Sequence, residues 1–484
     1  MITRVAAPAI LAGAAAGLAF PEPASAHALV GRQDLPIPEW LFVWGASLVL
    51  IVSFVAMTVA WRRPVLAAEH WRPAPGWLSR LLVNSITELL AGALGVFLLG
   101  VTVWAGLEGT DSPDRNFALT FVFVTFWLGL VVLSALFGDV FRALNPWRAI
   151  ARAFGGGFRL LAGQAMPPPF RYPERLGRWP AVAGLIAFLW LELVYGQSGF
   201  QTVGLTPRTV VIATIAYSAL TFAGMLLFGI ETWLRRGETF SVYFGMFARL
   251  SPLEVRDGRL GFPRPLSGLS GWVGTTAGSV ALVLVTIGGT AFDGAQEGAL
   301  DQSVTSTIEW LLDLGLGPTA ALRFANTLFL ALTLAAVAAI YWAGVWGMRT
   351  VRGSPPLDRL GRAFGHAFVT IALAYLVAHY FSLVVFQEQA QFTYLLSDPL
   401  GEGANLFGTA SSGIDYRLIS ATGVWYVQVG ALVVGHVLAL ALAHDRALTV
   451  YGEPRLAARS QYWMLALMVG FTSLGLFLLS QANQ

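Results

Sequence analysis

The stretch LVNSITELLAGALGVFLLGVTVWAGL, residues 82–107, decides the fold, because Glu88 is its only ionisable side chain. Coiled as an α-helix at about 1.5 Å per residue, it is long enough to cross the ~30 Å hydrocarbon layer of a bilayer. Nine more stretches read the same way, near 40–61, 117–141, 180–196, 209–234, 271–292, 320–348, 363–386, 420–443 and 461–481. Composition agrees: 56% of residues are hydrophobic and only 12% charged, about half the charge of a soluble domain. The expected fold is an all-α integral membrane bundle of about ten transmembrane helices, with residues 27–484 forming one polytopic domain after a leader.

The basic residues give the orientation. All 30 are arginine, and 24 of them fall in alternate connections, from Arg62 to Arg80, Arg142 to Arg178, Arg235 to Arg264, Arg349 to Arg362 and Arg446 to Arg459. The other connections hold only Arg32, Arg115, Arg208, Arg323 and Arg417. Such a bias puts the arginine-rich side in the cytoplasm of a bacterial inner membrane and both mature ends outside. The arginines follow topology and form no nucleic-acid patch, so the expected partner is the lipid bilayer; a partner subunit is left open. The absence of cysteine excludes disulfides, thiol nucleophiles and cysteine-held clusters.

Residues 1–26 have the layout of a secretory signal: Arg4, an apolar core, then Ala24-Ser25-Ala26. The alternative is an uncleaved first span. Cleavage after Ala26 would make His27 the first residue, offering its α-amine and its imidazole to one metal, a chelate suited to copper. Asp34, His379 and the acidic outer loops could complete that shell. Alternatively, His27 follows the cleavage site by chance and the segment up to Trp40 packs as a cap.

Ionisable groups within spans cost roughly 2.5–3.5 kcal/mol each and so ask for a reason. Here they are Glu88, Asp139, Glu192 and Glu231, with His366, His379, His436 and His444. His366 and His379 lie about 140° apart around one helix, and His436 and His444 are ~12 Å apart along another, so neither pair can hold one ion. His436 is read as a candidate haem or ion ligand, and the His444-Asp445 doublet as solvated. Asp293 and Asp398 fall among the acids of the outer connections, and the long connection 387–419 has the length of a loop that caps a site. No H-x-H, H-E-x-x-H, G-x-S-x-G or phosphate loop occurs.

Several segments carry a family resemblance: HALVGRQDLPIPEWLFVWGASLVLIVSF (27–54), FGDVFRALNPWR (137–148), RLSPLEVRDGRL (249–260), GGTAFDG (288–294), HYFSLVVFQEQAQFTYLLSDPLGEGANLFGTA (379–410) and VWYVQVGALVVGHVLALALAHDRAL (424–448). Over nearly the whole mature chain these resemble bacterial polytopic membrane proteins labelled fenitrothion hydrolase. The resemblance implies hydrolysis of a small apolar organophosphorus triester, reached from the bilayer, with release of a nitrophenol. That chemistry needs an activated water and stabilisation of the phosphoryl oxygen, usually by a divalent metal. On this reading the metal ligands are His27, Asp34 and His379, and the catalytic carboxylates are Glu388, as base, and Asp398. Two other classes stay open: a copper or haem redox protein built on His27 and the deep histidines, and a transporter with Glu192 and Glu231 as proton sites.

Overall fold

The computed structural model describes residues 39–66, 70–164, 166–199, 202–270, 272, 276–296 and 298–481. Residues 1–26, which the sequence reads as a signal, and His27 and Asp34 lie outside the described residues. Among the described residues, the helical segments that build the bundle follow one another along the chain. They are α1 (Glu39–Ala60), α2 (Ser85–Glu108), α3 (Phe117–Phe137), α4 (Trp179–Trp190, prolonged by a π-helical turn over Leu191–Tyr195), α5 (Pro207–Phe228), α6 (Ser279–Gln296), α7 (Pro318–Met348), α8 (Phe368–Phe392), α9 (Ala421–Tyr451) and α10 (Pro454–Gln481). The eight from α2 to α9 are long and apolar enough to cross a bilayer. α1 and α10 lie over the stretches 40–61 and 461–481 but are not among those eight; they pack against each other beside them. The protein is thus an all-α membrane bundle.

Local chemistry sets the helix starts. Asn84 accepts the N–H groups of Ile86 and Thr87, Asn116 that of Ala118, Thr206 that of Thr209 and Ser420 that of Gly423, each filling donors that a first helical turn leaves open. Pro207 stands in the first turn of α5, where its missing N–H costs nothing. Along α2 the large side chains Leu89, Leu90 and Phe97 face outward, while Gly92, Gly95 and Gly106 turn inward. At Gly95 a Cβ would sit 1.7 Å from the Leu144 carbonyl oxygen, so only glycine lets the two backbones meet there.

α8 is the hub, packed on α9, α6 and the middle of α3. The two ends of the bundle differ. At the arginine-rich end Arg148, only 8% exposed, bridges Glu88 at 2.5 Å and Glu231 at 3.1 Å, while Arg152 and Arg142 take a second place on each carboxylate. This network ties α2 and the helix Pro146–Ala162 to the helix Ile230–Arg236. A small antiparallel sheet closes the same end, with β1 (Trp71–Pro73), β2 (Glu254–Arg256) and β3 (Arg259–Pro263) in the order β1-β3-β2. The foot of α9 corrects one expectation. His444 and Asp445 are buried rather than solvated: Asp445 Oδ1 accepts the backbone N–H groups of Val65 (2.5 Å) and Leu66 (3.2 Å), and His444 Nε2 meets the Trp61 carbonyl at 2.9 Å. The doublet holds the turn that leaves α1. At the opposite end the carbonyls of Pro399 and Leu400 accept the N–H groups of Phe117 and Thr110, so the long connection after α8 lies across the tops of α2 and α3.

Candidate functional site

Two of the polar features in the apolar interior are carried by α8. The first is centred on Asp293. The sequence puts this residue just beyond a span at 271–292; the helix instead starts at Ser279, after Gly278 in a left-handed conformation, and runs to Gln296. That shift brings Asp293 inside α6, where it is 3% exposed. Its Oδ2 accepts the Tyr380 hydroxyl at 2.6 Å and lies 2.9 Å from His379 Nε2. The His379 imidazole packs against Gly294, where a Cβ would lie 3.4 Å from the ring, at ordinary contact distance. Glu192, in the π-helical turn of α4, and Tyr243 are within electrostatic reach of Tyr380. A carboxylate this deep is tolerable only with such partners.

The second feature is a cavity of about 810 Å³ between α2, α3, α5 and α8. Its lining includes exposed apolar side chains, among them Leu133, Leu220 and Phe392, so it opens on an apolar surface of the bundle. Its one carboxylate is Glu388, whose Oε2 accepts the Thr125 hydroxyl at 2.9 Å. Beside it Gln391, 3% exposed, has its Oε1 buried without a hydrogen-bond partner.

Apart from the Gln391 amide N–H₂, the donors around this cavity are already committed. Thr102 and Thr214 give their hydroxyls to Leu98 and Val210 carbonyls, the Trp147 indole donates to Ser218 Oγ, and the Tyr217 hydroxyl donates to Glu238. What remains is an excess of acceptors: the Glu388 carboxylate and the Gln391 carbonyl, with the Gln391 amide N–H₂ next to them. A ligand that satisfies the site must bring donors or positive charge.

The two features touch one element. α3 is π-helical over Phe121–Gly129, and within that stretch Thr125 bonds Glu388 while the Trp127 ring lies 5.2 Å from that of Tyr380. Along α8, Tyr380 and Glu388 are about 12 Å apart. π-Helical turns inside α-helices are often found at functional sites.

The other expected residues are placed as follows. Asp398 is turned into its own loop, where Oδ1 and Oδ2 accept the N–H groups of Glu402 (3.2 Å) and Gly403 (2.7 Å). Glu388 lines the cavity and Asp398 does not. His379 is held by Asp293 on α6. His436 is fully buried against α8, with Nδ1 on the Leu432 carbonyl at 2.7 Å and Nε2 without a partner. Glu231 and Glu88 are spent on arginines. Among the described residues no three or more His, Asp or Glu side chains are grouped to hold a metal.

Compared with family models, curated proteins and solved structures, the chain matches none. The functional reading therefore rests on the geometry.

Asp293 reads in the sequence only as one acid of an outer connection, and Tyr380 and Gln391 are not singled out there. The first two are 87 residues apart and meet only through the α6–α8 packing. One signal was available: a His-Tyr pair inside one span and an aspartate at the apolar end of another.

Proposed function

We propose that the protein is an inner-membrane carrier of ten spans that binds small apolar molecules bearing a positive charge or a strong hydrogen-bond donor. Glu388 is the recognition group and the Asp293–His379–Tyr380 cluster the proton site. The observation that carries this reading is the lone carboxylate in a cavity that opens on an apolar surface of the bundle, beside a buried amide oxygen that lacks a donor. A lipophilic amine entering from the bilayer would match it in both shape and charge. Asp293, whose side chain is buried between a histidine and a tyrosine, has the make-up of a group that exchanges a proton within a membrane. The π-helical part of α3, which touches both Glu388 and Tyr380, is the element through which occupancy of one site would bear on the other. On the expected orientation, the loop after α8 covers the cavity from the outer side.

Hydrolysis of a phosphotriester is the second reading, on the strength of the sequence resemblance. The cavity supports it less well. A triester presents acceptor oxygens only, whereas the cavity is short of donors, and no arginine or histidine lines it to steady a phosphoryl oxygen. Proteoliposomes separate the two. Uptake of a fluorescent lipophilic amine, driven by a proton gradient and lost in Glu388→Gln and in Asp293→Asn, is the expected result. Steady nitrophenol release from fenitrothion, lost in Glu388→Gln with no amine uptake in the parent protein, would replace transport by hydrolysis.

A further inference from the structure

A second large recess, about 850 Å³, lies at the arginine-rich end, between the segment before α4, the end of α5 and the helix Ile230–Arg236. Four arginines line it, Arg171, Arg178, Arg235 and Arg236, against one carboxylate, Glu174. Among the described residues none of the four is in an ion pair, unlike Arg142, Arg148 and Arg152 at the same end, each of which pairs with Glu88 or Glu231.

Two of the guanidinium groups are fixed in place. Arg178 stacks 4.5 Å over the Trp272 ring and donates Nη1 to Ser279 Oγ at 2.6 Å, while its Nε is buried with no acceptor. Arg236 stands 5.6 Å over the Tyr172 ring. Gathering four unneutralised positive charges around one recess is costly unless an anion joins them. Held arginines with unused N–H groups match a phosphate, whose oxygens accept in pairs. The recess borders the bilayer surface of the bundle: Phe170 and Trp179 are 58% and 49% exposed beside it.

We propose that this recess binds a phosphate group, carried either by an anionic lipid headgroup or by a soluble phosphate compound. Arg178 and Arg236 are the principal contacts, with Arg171 and Arg235 at the mouth.

The test uses full-length protein stripped of lipid in a zwitterionic detergent, titrated with phosphatidylglycerol, phosphatidylcholine and inorganic phosphate and read by native mass spectrometry. Phosphatidylglycerol should bind at least tenfold tighter than phosphatidylcholine, and the preference should fall at least tenfold in Arg178→Gln/Arg236→Gln. The exposed pair Arg171→Gln/Arg235→Gln serves as a second variant should the first fail to fold, with a smaller loss expected. Arg352→Gln/Arg359→Gln, at the same end but away from the recess, should change nothing. Millimolar inorganic phosphate that displaces the lipid, or binds alone and is lost in the same variants, would identify a soluble phosphate compound as the ligand. Equal affinity for the two lipids with no phosphate binding would overturn the proposal. So would a preference that survives both recess variants or falls equally in the control.

Discussion

Replacing Tyr380 by phenylalanine removes one hydroxyl and leaves the ring packed on Trp127. The lost bond is the 2.6 Å contact to Asp293 Oδ2, and a hydrogen bond to a charged acceptor contributes about 1.5–3 kcal/mol. The site is 1% exposed, so no water replaces the donor, and the upper half of that range is expected. His379→Ala removes the second partner at 2.9 Å and also leaves a cavity, for roughly 2–4 kcal/mol. The two losses should not add. Both bonds end on the same Asp293 oxygen, so the surroundings that relax when one donor is lost make the second loss less costly. The double variant should therefore cost at least ~1 kcal/mol less than the sum of the singles, a coupling within the range for residues sharing one partner. Reversible unfolding in mixed micelles of denaturing and mild detergent measures all four proteins. A Tyr380→Phe cost below ~0.5 kcal/mol, or strict additivity, would refute the claim that Asp293 depends on both groups.

Three further outcomes follow from the arginine-rich end. Arg148→Met leaves Glu88 and Glu231 each with one exposed arginine; both carboxylates are about 40% exposed, so the cost should be near 2 kcal/mol rather than the 3–5 of a fully buried pair. Burial alone would raise the Glu231 carboxyl, but Arg142 and Arg148 overcome it and hold the group below its ordinary value. The stability it contributes is then complete above the unfolded glutamate pKa of about 4.3 and lost as pH falls below it, so the difference between parent and Glu231→Gln should shrink on acidification from pH 6 to pH 3. Asp445→Ala strands two buried backbone N–H groups at Val65 and Leu66, for about 2–4 kcal/mol, and should expose the turn after α1 to faster amide exchange than the parent shows.

Much of the architecture was legible because hydrocarbon imposes a strong rule: apolar runs of a fixed length separated by charged connections. The caps Asn84, Asn116, Thr206 and Ser420 stand at the starts of helices that the apolar runs had located. Two things lay outside that rule. The start of α6 is set by the left-handed Gly278 rather than by hydropathy, and that shift moved Asp293 from a loop into the interior. The π-helical stretches of α3 and α4 have no periodicity signal of their own, yet they place Thr125 and Glu192. Glu388 was visible as an acid near a span end, but its role is set by side chains from four helices and by donors spent elsewhere, which only packing reveals. The His444-Asp445 doublet was visible too and was misjudged, because the turn after α1 that buries it lies nearly 400 residues away along the chain.

The central claim is that Glu388 recognises positive charge in an apolar cavity, and equilibrium binding tests it most directly. A lipophilic aromatic amine and its uncharged isostere of equal size are titrated against the parent protein and Glu388→Gln in detergent. A carboxylate and an ammonium 4 Å apart at an effective dielectric constant near 20 attract by ~4 kcal/mol, of which about half survives desolvation. The account predicts that the parent prefers the amine by roughly 30-fold and that Glu388→Gln loses this preference while still binding the isostere. An equal affinity for both ligands in the parent, or a preference kept intact in Glu388→Gln, would contradict it.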